Sequence, residues 1–494
     1  MKTALKILLG GLVIIVAVVA YRTVTISNHY PPIAPISPID IDENTVASHL
    51  SEFIQIKTLS RQVGQPGDEL AFLQAHQWLE NTYPWTFKKL SQVKINGLTL
   101  LLHWQGSNPN TKPFLWTGHM DVVPVEPGTE EDWVHPAFSG KIADGDIWGR
   151  GAIDMKSTVV AMMEAIEYLI TEGYQPKNSL YIALTHDEEK GGNEGAGGIS
   201  QYLKQNNIQA VWSMDEGGGI ATDGMIPGIE KPVALVAVGE KGFISLKISA
   251  KSRGGHSSMP NHNDLALVTL AKAITQLNDN QFPSKLNGAS RDMILTLAPE
   301  MPFLNRIALA NLWLFEPLVL SSMEKSRQQA PMIRTSIAPV IIKGGTKENI
   351  LPQQASLIVN FRIHPNDTAD SLRASVEQIV RAPNITVSLL EDFVFSEASP
   401  MANIDSAGYK LITQSIREIY GDIIVAPNMT VGATDSKHYK LVADETYRFS
   451  PMLLTPKYLD GAHGTNERIS VNNMDDMVRF YVRLMKNSDS SHIL

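Results

Sequence analysis

The chain has 494 residues, 43% of them hydrophobic and 19% charged, a composition of globular proteins and too long for one ordinary core. It contains no cysteine, which excludes a disulfide scaffold, a thiolate metal site, an iron–sulfur cluster and a cysteine nucleophile. A net charge of -9 argues against broad nucleic-acid binding, which needs a basic face. Residues 1–28 stand apart. Lys2 and Lys6 precede the apolar run Ile7 to Ala20, and Arg22 follows it. The run is shorter than the roughly 20 residues of a comfortable membrane span. It fits a signal peptide with Val18-Val19-Ala20 as a small-residue cleavage site, or, lengthened by Leu5 and by Tyr21 to Ile26, a tilted signal anchor. In either case the leading lysines place the bulk of the chain outside the cytoplasm, so an exported or membrane-anchored protein is expected, touching membrane only through this segment. Residues 29–38 are Pro-rich and read as a linker.

From Thr45 to Tyr83 apolar residues recur at helical spacing, including Leu50, Phe53, Leu73 and Leu79. Short apolar runs follow at Thr99–Trp104, Pro113–Thr117, Leu180–Thr185 and Ala210–Met214, with a helix from about Lys156 to Glu172 between the second and third. Strands alternating with helices predict an α/β layer with a largely parallel sheet. After Glu240 the character changes. Phe243–Ala250 alternates like a strand, Leu265–Leu277 reads as a helix, Ala338–Lys343 and Ala355–Ile363 as strands, Ala369–Val380 as a helix and Ile385–Leu390 as a strand. This β-α-β-β-α-β order predicts a ferredoxin-like module at 242–395, inserted into a domain made of 39–241 and 396–494. A further helix is expected near Gly408–Tyr420. Residues 279–335 fit no clear element, except that Phe303–Leu320 is apolar and reads as a helix covering the module.

Each apolar run of the first domain ends in a polar cluster: His119-Met-Asp121, Asp146 to Asp154, His186-Asp187-Glu188-Glu189, and Asp215-Glu216. In open α/β sheets ligands bind outside the carboxyl ends of the strands, where these clusters converge. So many carboxylates repel one another unless a divalent cation lies among them. Imidazole and carboxylate ligands favour zinc, with manganese or cobalt as alternatives. In two-metal hydrolases one carboxylate bridges ions about 3.5–4 Å apart, which polarise a carbonyl and acidify a water. A further carboxylate then moves that water's proton, and the pair Glu188-Glu189 offers one ligand and one base.

The order of these motifs resembles the dinuclear zinc peptidase family of aminoacylase-1, glutamate carboxypeptidase and carboxypeptidase S. The matching segments are Gly-His119-Met-Asp121-Val-Val-Pro, Gly-Arg-Gly-Ala-Ile-Asp154-Met-Lys, Asp-Glu188-Glu189-Lys-Gly-Gly, Asp215-Glu216-Gly-Gly, Gly-Gly-His256-Ser-Ser-Met-Pro, Glu-Asn349-Ile-Leu-Pro, Phe-Arg362-Ile, Gly-Ala-Thr434-Asp435-Ser and Ala-His463-Gly-Thr-Asn-Glu. They span most of the chain, from Ile39 to Asn487. The leader and the Asp-Glu-Gly-Gly segment most resemble the carboxypeptidase S branch, which includes secreted N-acyl-amino-acid hydrolases. The resemblance implies two zinc ions per chain: His119 and Asp215 on one, Glu189 and His463 on the other, Asp154 bridging. Family members differ over which residue of the Asp215-Glu216 pair faces the metal, and Asp215 is assigned here. The resemblance also implies Glu188 as general base and acid, and Asp121 as the hydrogen-bond partner that orients His119. His256 is implied as oxyanion stabiliser, often from a partner subunit of a dimer formed through the module. Arg362 and Asn349 are implied to hold a substrate carboxylate, and Thr434 to bind substrate from a glycine-rich segment beside the site.

The expected activity is hydrolysis of an amide bond next to a free carboxylate, in a peptide or an N-acyl amino acid. A small-molecule amidase of the allantoate or carbamoyl type and a non-catalytic binding protein are the alternatives. Among the remaining histidines, His49, His76 and His492 read as surface residues and His186 as a packing residue.

Overall fold

The computed structural model describes residues 1–28, 30–33, 36–60, 68–390 and 395–490. A ten-stranded sheet forms the centre, in the order Ser91–Ile95, Thr99–Trp104, Leu180–Thr185, Phe114–His119, Ala210–Asp215, Ala443–Arg448, Val233–Glu240, Gly219–Ala221 and Leu453–Leu454, with Ile424–Thr430 also paired to Val233–Glu240. Phe114–His119 runs parallel to Leu180–Thr185 and Ala210–Asp215, and Ala443–Arg448 is parallel to Ala210–Asp215. Phe114–His119 is buried at every position, as expected of a parallel strand covered on both faces. The helix Lys156–Thr171 covers one face with Val159, Val160, Met163 and Ile166, and the C-terminal helix Val471–Ser490 packs beside it. Parallel strands put their carboxyl ends at one edge. His119, Asp215 and the turn after Thr185 therefore meet there.

A second, four-stranded antiparallel sheet runs Ser336–Gly344, Gln354–Ile363, Gly242–Lys251, Ile385–Leu389. In Gln354–Ile363 the residues Ala355, Leu357, Val359, Phe361 and Ile363 are buried in alternation, as a sheet covered on one face requires. That face is filled by Leu270, Ala273 and Leu277 of the helix Ala266–Asp279 and by Leu372 and Val376 of Ala369–Ile379. The β-α-β-β-α-β order is the expected one.

The leader and part of the linker take definite positions, and one expectation changes, that for 279–335. The apolar leader is one helix, Lys2–Thr25, of 24 residues, continuous through Val18–Ala20. Residues 30–33 of the linker are docked: Tyr30 donates its hydroxyl to the Val425 carbonyl and Arg417 donates to the Pro31 carbonyl, while residues 29, 34 and 35 lie outside the described residues. The stretch 279–335 forms the helices Gly288–Leu297, Phe303–Ala310 and Leu312–Glu324. None of them covers the module: Gly288–Leu297 lies on the central sheet, with Met293 and Leu297 packed on Val233, Ile424 and Ala426, while Leu312, Val319 and Met323 pack on Ile294 of that helix and Phe303–Ala310 meets the leader. The module's apolar face is already closed by its own two helices, and the insertion buries its apolar side chains on a face of the larger sheet instead.

Candidate metal and catalytic site

His119 ends its strand with its ring between two sets of oxygens. Its Nδ1 lies 2.9 Å from the Asp121 carbonyl oxygen and 3.4 Å from Asp121 Oδ1. Its Nε2 lies 3.0 Å from Asp154 Oδ1 and 3.3 Å from Glu216 Oε1. The other Asp154 oxygen is 2.9 Å from His463 Nε2, which is 3.3 Å from Glu189 Oε1. Asp154 thus belongs to two clusters, His119–Asp154–Glu216 and Asp154–Glu189–His463.

Local structure explains each position. Asp154 lies in the loop before the helix Lys156–Thr171. That loop is gathered by Glu467, whose carboxylate accepts the N–H groups of Gly151, Ile153 and Asp154 at 3.0, 2.8 and 3.2 Å. Glu188 and Glu189 sit on the single turn that follows Leu180–Thr185, and each donates its backbone N–H to one Asp121 carboxylate oxygen at 3.2 Å. Gly192 closes that turn at φ 67°, where an added Cβ would lie 1.9 Å from Asp435 Oδ1. His463 stands at φ 58°, a left-handed conformation uncommon away from glycine, in the turn Gly461–Gly464.

The structure corrects one assignment made from sequence. Glu216, not Asp215, faces His119. Successive residues leaving a strand point to opposite sides, and Asp215 is turned away, with Oδ1 accepting the Glu216 N–H at 2.9 Å. Asp121 stands behind His119: its main-chain carbonyl is the nearest acceptor of Nδ1, its carboxylate also reaches the ring at 3.4 Å, and the same carboxylate holds the Glu188–Glu189 turn.

The electrostatics are those of crowded, buried acids. Burial pushes Glu188 well above the usual carboxylate range. Burial and the neighbouring Asp154 push Glu216 to about 8, and burial and Asp215 push Asp435 to about 8. Burial alone would raise Asp154, but hydrogen bonds from His119 and His463 hold it well below its ordinary value. Hydrogen bonds to Asp154 and Glu189 lift His463 to about 10. The donor set suits divalent cations. Ligands about 2.1 Å from a tetrahedral ion are about 3.4 Å apart, and the four contacts around His119 and His463 lie between 2.9 and 3.3 Å. A cation at each cluster offsets the repulsion that raises these acids.

The module residues lie elsewhere. His256 is exposed on a two-residue strand paired with Ile350, next to Asn349, and its Nδ1 lies 2.8 Å from the Ser258 hydroxyl. No hydrogen bond or ion pair among the described residues joins it to the clusters. Arg362 stacks its guanidinium 4.6 Å over the Phe243 ring, and no hydrogen bond among the described residues occupies its N–H groups. Thr434 is engaged within its own chain. It is buried, and both its N–H and its hydroxyl donate to Glu240 Oε2, at 3.0 and 2.9 Å. His186 packs as expected, edge-on to Phe72. His76 is buried at 2% exposure, and His49 is half-buried against Glu164. His49 faces the helix Lys156–Thr171 and the rings of Trp78 and Tyr83, and His76 lies 2.9 Å from the Leu98 carbonyl, while His492 lies outside the described residues.

Four residues of consequence escaped the sequence reading: Arg150 and Glu467, which shape the Asp154 loop, and Glu240 and Arg448, a buried pair 3.2 Å apart beneath Thr434. Arg150 and Glu467 stand inside the quoted motifs, so their signal was position next to Asp154 and His463.

Residues 115–487 match the model of the peptidase family M20/M25/M40. The chain belongs to this family. It is a metal-dependent hydrolase of peptide or linear amide bonds, and the alternative readings are not favoured. It is 33% identical to the Dictyostelium discoideum protein named "Probable carboxypeptidase S-like 2", over 98% of this chain and 94% of that one. It is 34% identical to the Xenopus tropicalis "N-fatty-acyl-amino acid synthase/hydrolase PM20D1", over 100% of this chain and 96% of that one. The fold matches an M20 family metallo-carboxypeptidase from Sulfolobus solfataricus with a TM-score of 0.65 at 19% identity, covering 90% of this chain and 99% of that one.

Proposed function

We propose that the chain hydrolyses N-acyl amino acids at a pair of zinc ions, one held by His119, Asp154 and Glu216 and the other by Asp154, Glu189 and His463. The observation that carries this reading is the division of Asp154 between two histidines, with one carboxylate oxygen facing each. Bound there, the ions supply a Lewis acid and an acidified water. Glu188, buried within electrostatic reach of His119 and Glu216, takes the water's proton on its carboxylate and delivers it to the leaving nitrogen. Arg362, its planar fork unoccupied, receives the free carboxylate of the substrate with Asn349, and His256 stabilises the oxyanion.

Residues 39–241 and 396–494 form the catalytic domain and 242–395 the lid, a division supported by the lid's own apolar core around Leu246, Leu270, Val359 and Leu372, although the helix Gly288–Leu297 within 242–395 packs on the central sheet. A homodimer through the lid brings the His256–Asn349 ribbon of one chain toward the clusters of the other. It is supported by the exposure of His256 in its own chain and by the exposed Val340, Ile341 and Ile342 on the outer strand Ser336–Gly344. The helix Lys2–Thr25 anchors the chain with its catalytic domain outside the cytoplasm. The acyl substrate class is supported by the named activity of the Xenopus tropicalis relative. A hydrolysis screen of N-acyl amino acids of several chain lengths against dipeptides tests it, run beside metal analysis of the same preparation. Cleavage of dipeptides alone overturns the substrate class, and full activity without metal overturns the site.

A further inference from the structure

The helices Phe303–Ala310 and Leu312–Glu324 meet at 115° around Asn311. On this corner Phe303, Leu304, Trp313, Leu314 and Leu318 are 62, 78, 51, 42 and 63% exposed. Of the three charges within the pair, Arg306 donates to the Met301 carbonyl, Glu316 faces Arg291 at 3.6 Å, and Glu324 is exposed at the far end from the corner. The hydrolytic reading makes no use of this face. An apolar patch of this kind on a soluble surface marks an interaction site or an aggregation liability.

The same corner grips the leader helix. Arg22 Nε donates to the Ala310 carbonyl at 3.2 Å, and Asn311 Nδ2 donates to Thr23 Oγ1 at 3.2 Å and to the Val19 carbonyl at 3.3 Å. Thr23 and Asn311 are both buried, while the apolar side chains from Leu5 to Val18 are exposed. A helix of 24 residues is about 36 Å long, enough to cross a hydrocarbon core of about 30 Å. Its last turn is the one held at Asn311, so the boundary of the bilayer falls at the corner.

We infer that the pair Phe303–Glu324 is a second membrane element, lying in the headgroup–acyl boundary of the bilayer that Lys2–Thr25 spans, with lipid acyl chains covering its exposed apolar face. This rests on the anchor reading of the leader. The polar node Arg22–Thr23–Asn311 sets the depth, Trp313 stands where interfacial tryptophans concentrate, and the apolar side chains of both helices enter the boundary as those of an interfacial amphipathic element do. The catalytic domain is then held at two points and cannot swing freely on its linker.

The chain has no cysteine, so single sites can be labelled without background. Leu304→Cys, Leu318→Cys and, as a control on the helix Ala196–Gln205, Lys204→Cys carry an environment-sensitive fluorophore on the full chain reconstituted in palmitoyl-oleoyl phosphatidylcholine vesicles. The expected result is flotation with the vesicles, loss of most fluorescence at 304 and 318 to acyl-chain doxyl lipids with little loss to aqueous iodide, and the reverse at 204. Flotation with iodide quenching at 304 and 318 leaves the anchor standing and overturns the second element. Protection from both quenchers overturns it in favour of a protein partner, including a second copy of this chain. A chain that stays behind when the vesicles float overturns anchor and corner together.

Discussion

Arg150 Nη1 lies 2.6 Å from Glu467 Oε2, and both side chains are buried. The second Glu467 oxygen gathers three backbone N–H groups of the loop that ends at Asp154, so the pair holds one segment that carries the shared acid to another that carries His463. Removing one partner of a buried pair costs about 3–5 kcal/mol. Glu467→Gln is expected to lower the melting temperature and to lose metal more readily on dialysis. A variant that matches the native chain in both measurements removes Glu467 from the support of the site.

Glu188→Gln keeps the shape of the side chain and deletes its base. With proton transfer worth about 100- to 10,000-fold, kcat is expected to fall in that range while metal content and melting temperature stay at native values. Native kcat in this variant means that another group moves the proton.

Glu216 and Asp215 are neighbours with opposite outlooks. Glu216→Ala is expected to lose one of the bound ions, and Asp215→Asn to retain both, by metal analysis of protein purified without chelator. The opposite pattern restores the assignment to Asp215.

Thr434→Val deletes the hydroxyl bonded to Glu240. Leaving that buried carboxylate one donor short costs about 1–3 kcal/mol, seen as a lower denaturation midpoint, with KM unchanged. A raised KM at unchanged stability returns Thr434 to the substrate.

Lys241 is 1% exposed and donates to the carbonyls of Pro331 and Arg334 at the passage from sheet to module. Burial, helped by Arg362, holds it down to about 7, against about 10.4 in the unfolded chain. Between these values the unfolded chain binds a proton that the folded chain lacks, so this group makes stability rise with pH, and below about 7 its slope vanishes. The native chain is expected to gain stability relative to Lys241→Met from about pH 7 to pH 9, by denaturant titration at each pH. A difference that does not change with pH removes the effect.

Much of this molecule is legible in its sequence because its signals are local. An unbroken apolar run such as Phe114–His119 states its own burial, the alternation of Gln354–Ile363 states its covered face, and the His, Asp and Glu at the ends of parallel strands state where a cation belongs. The ligand types, the order of the motifs and the two-layer plan all follow from such runs.

Tertiary structure decided the rest, because it depends on partners far away in the chain. The choice between Asp215 and Glu216 turns on how Ala210–Asp215 is seated beside Ala443–Arg448, which directs one acid of the pair into the cluster and the other away from it. Thr434 reads as a site residue until Glu240, from the other side of the module, takes both its donors. The apolar stretch Phe303–Leu320 reads as a cover for the module, and only its hydrogen bonds to Arg22 and Thr23 place it at the leader. Sequence determined the strands, the helices and the chemistry of the donors, since these follow from residue type and period. Which donor faces the cluster, and which face meets the leader, followed from long-range packing, which no local pattern records.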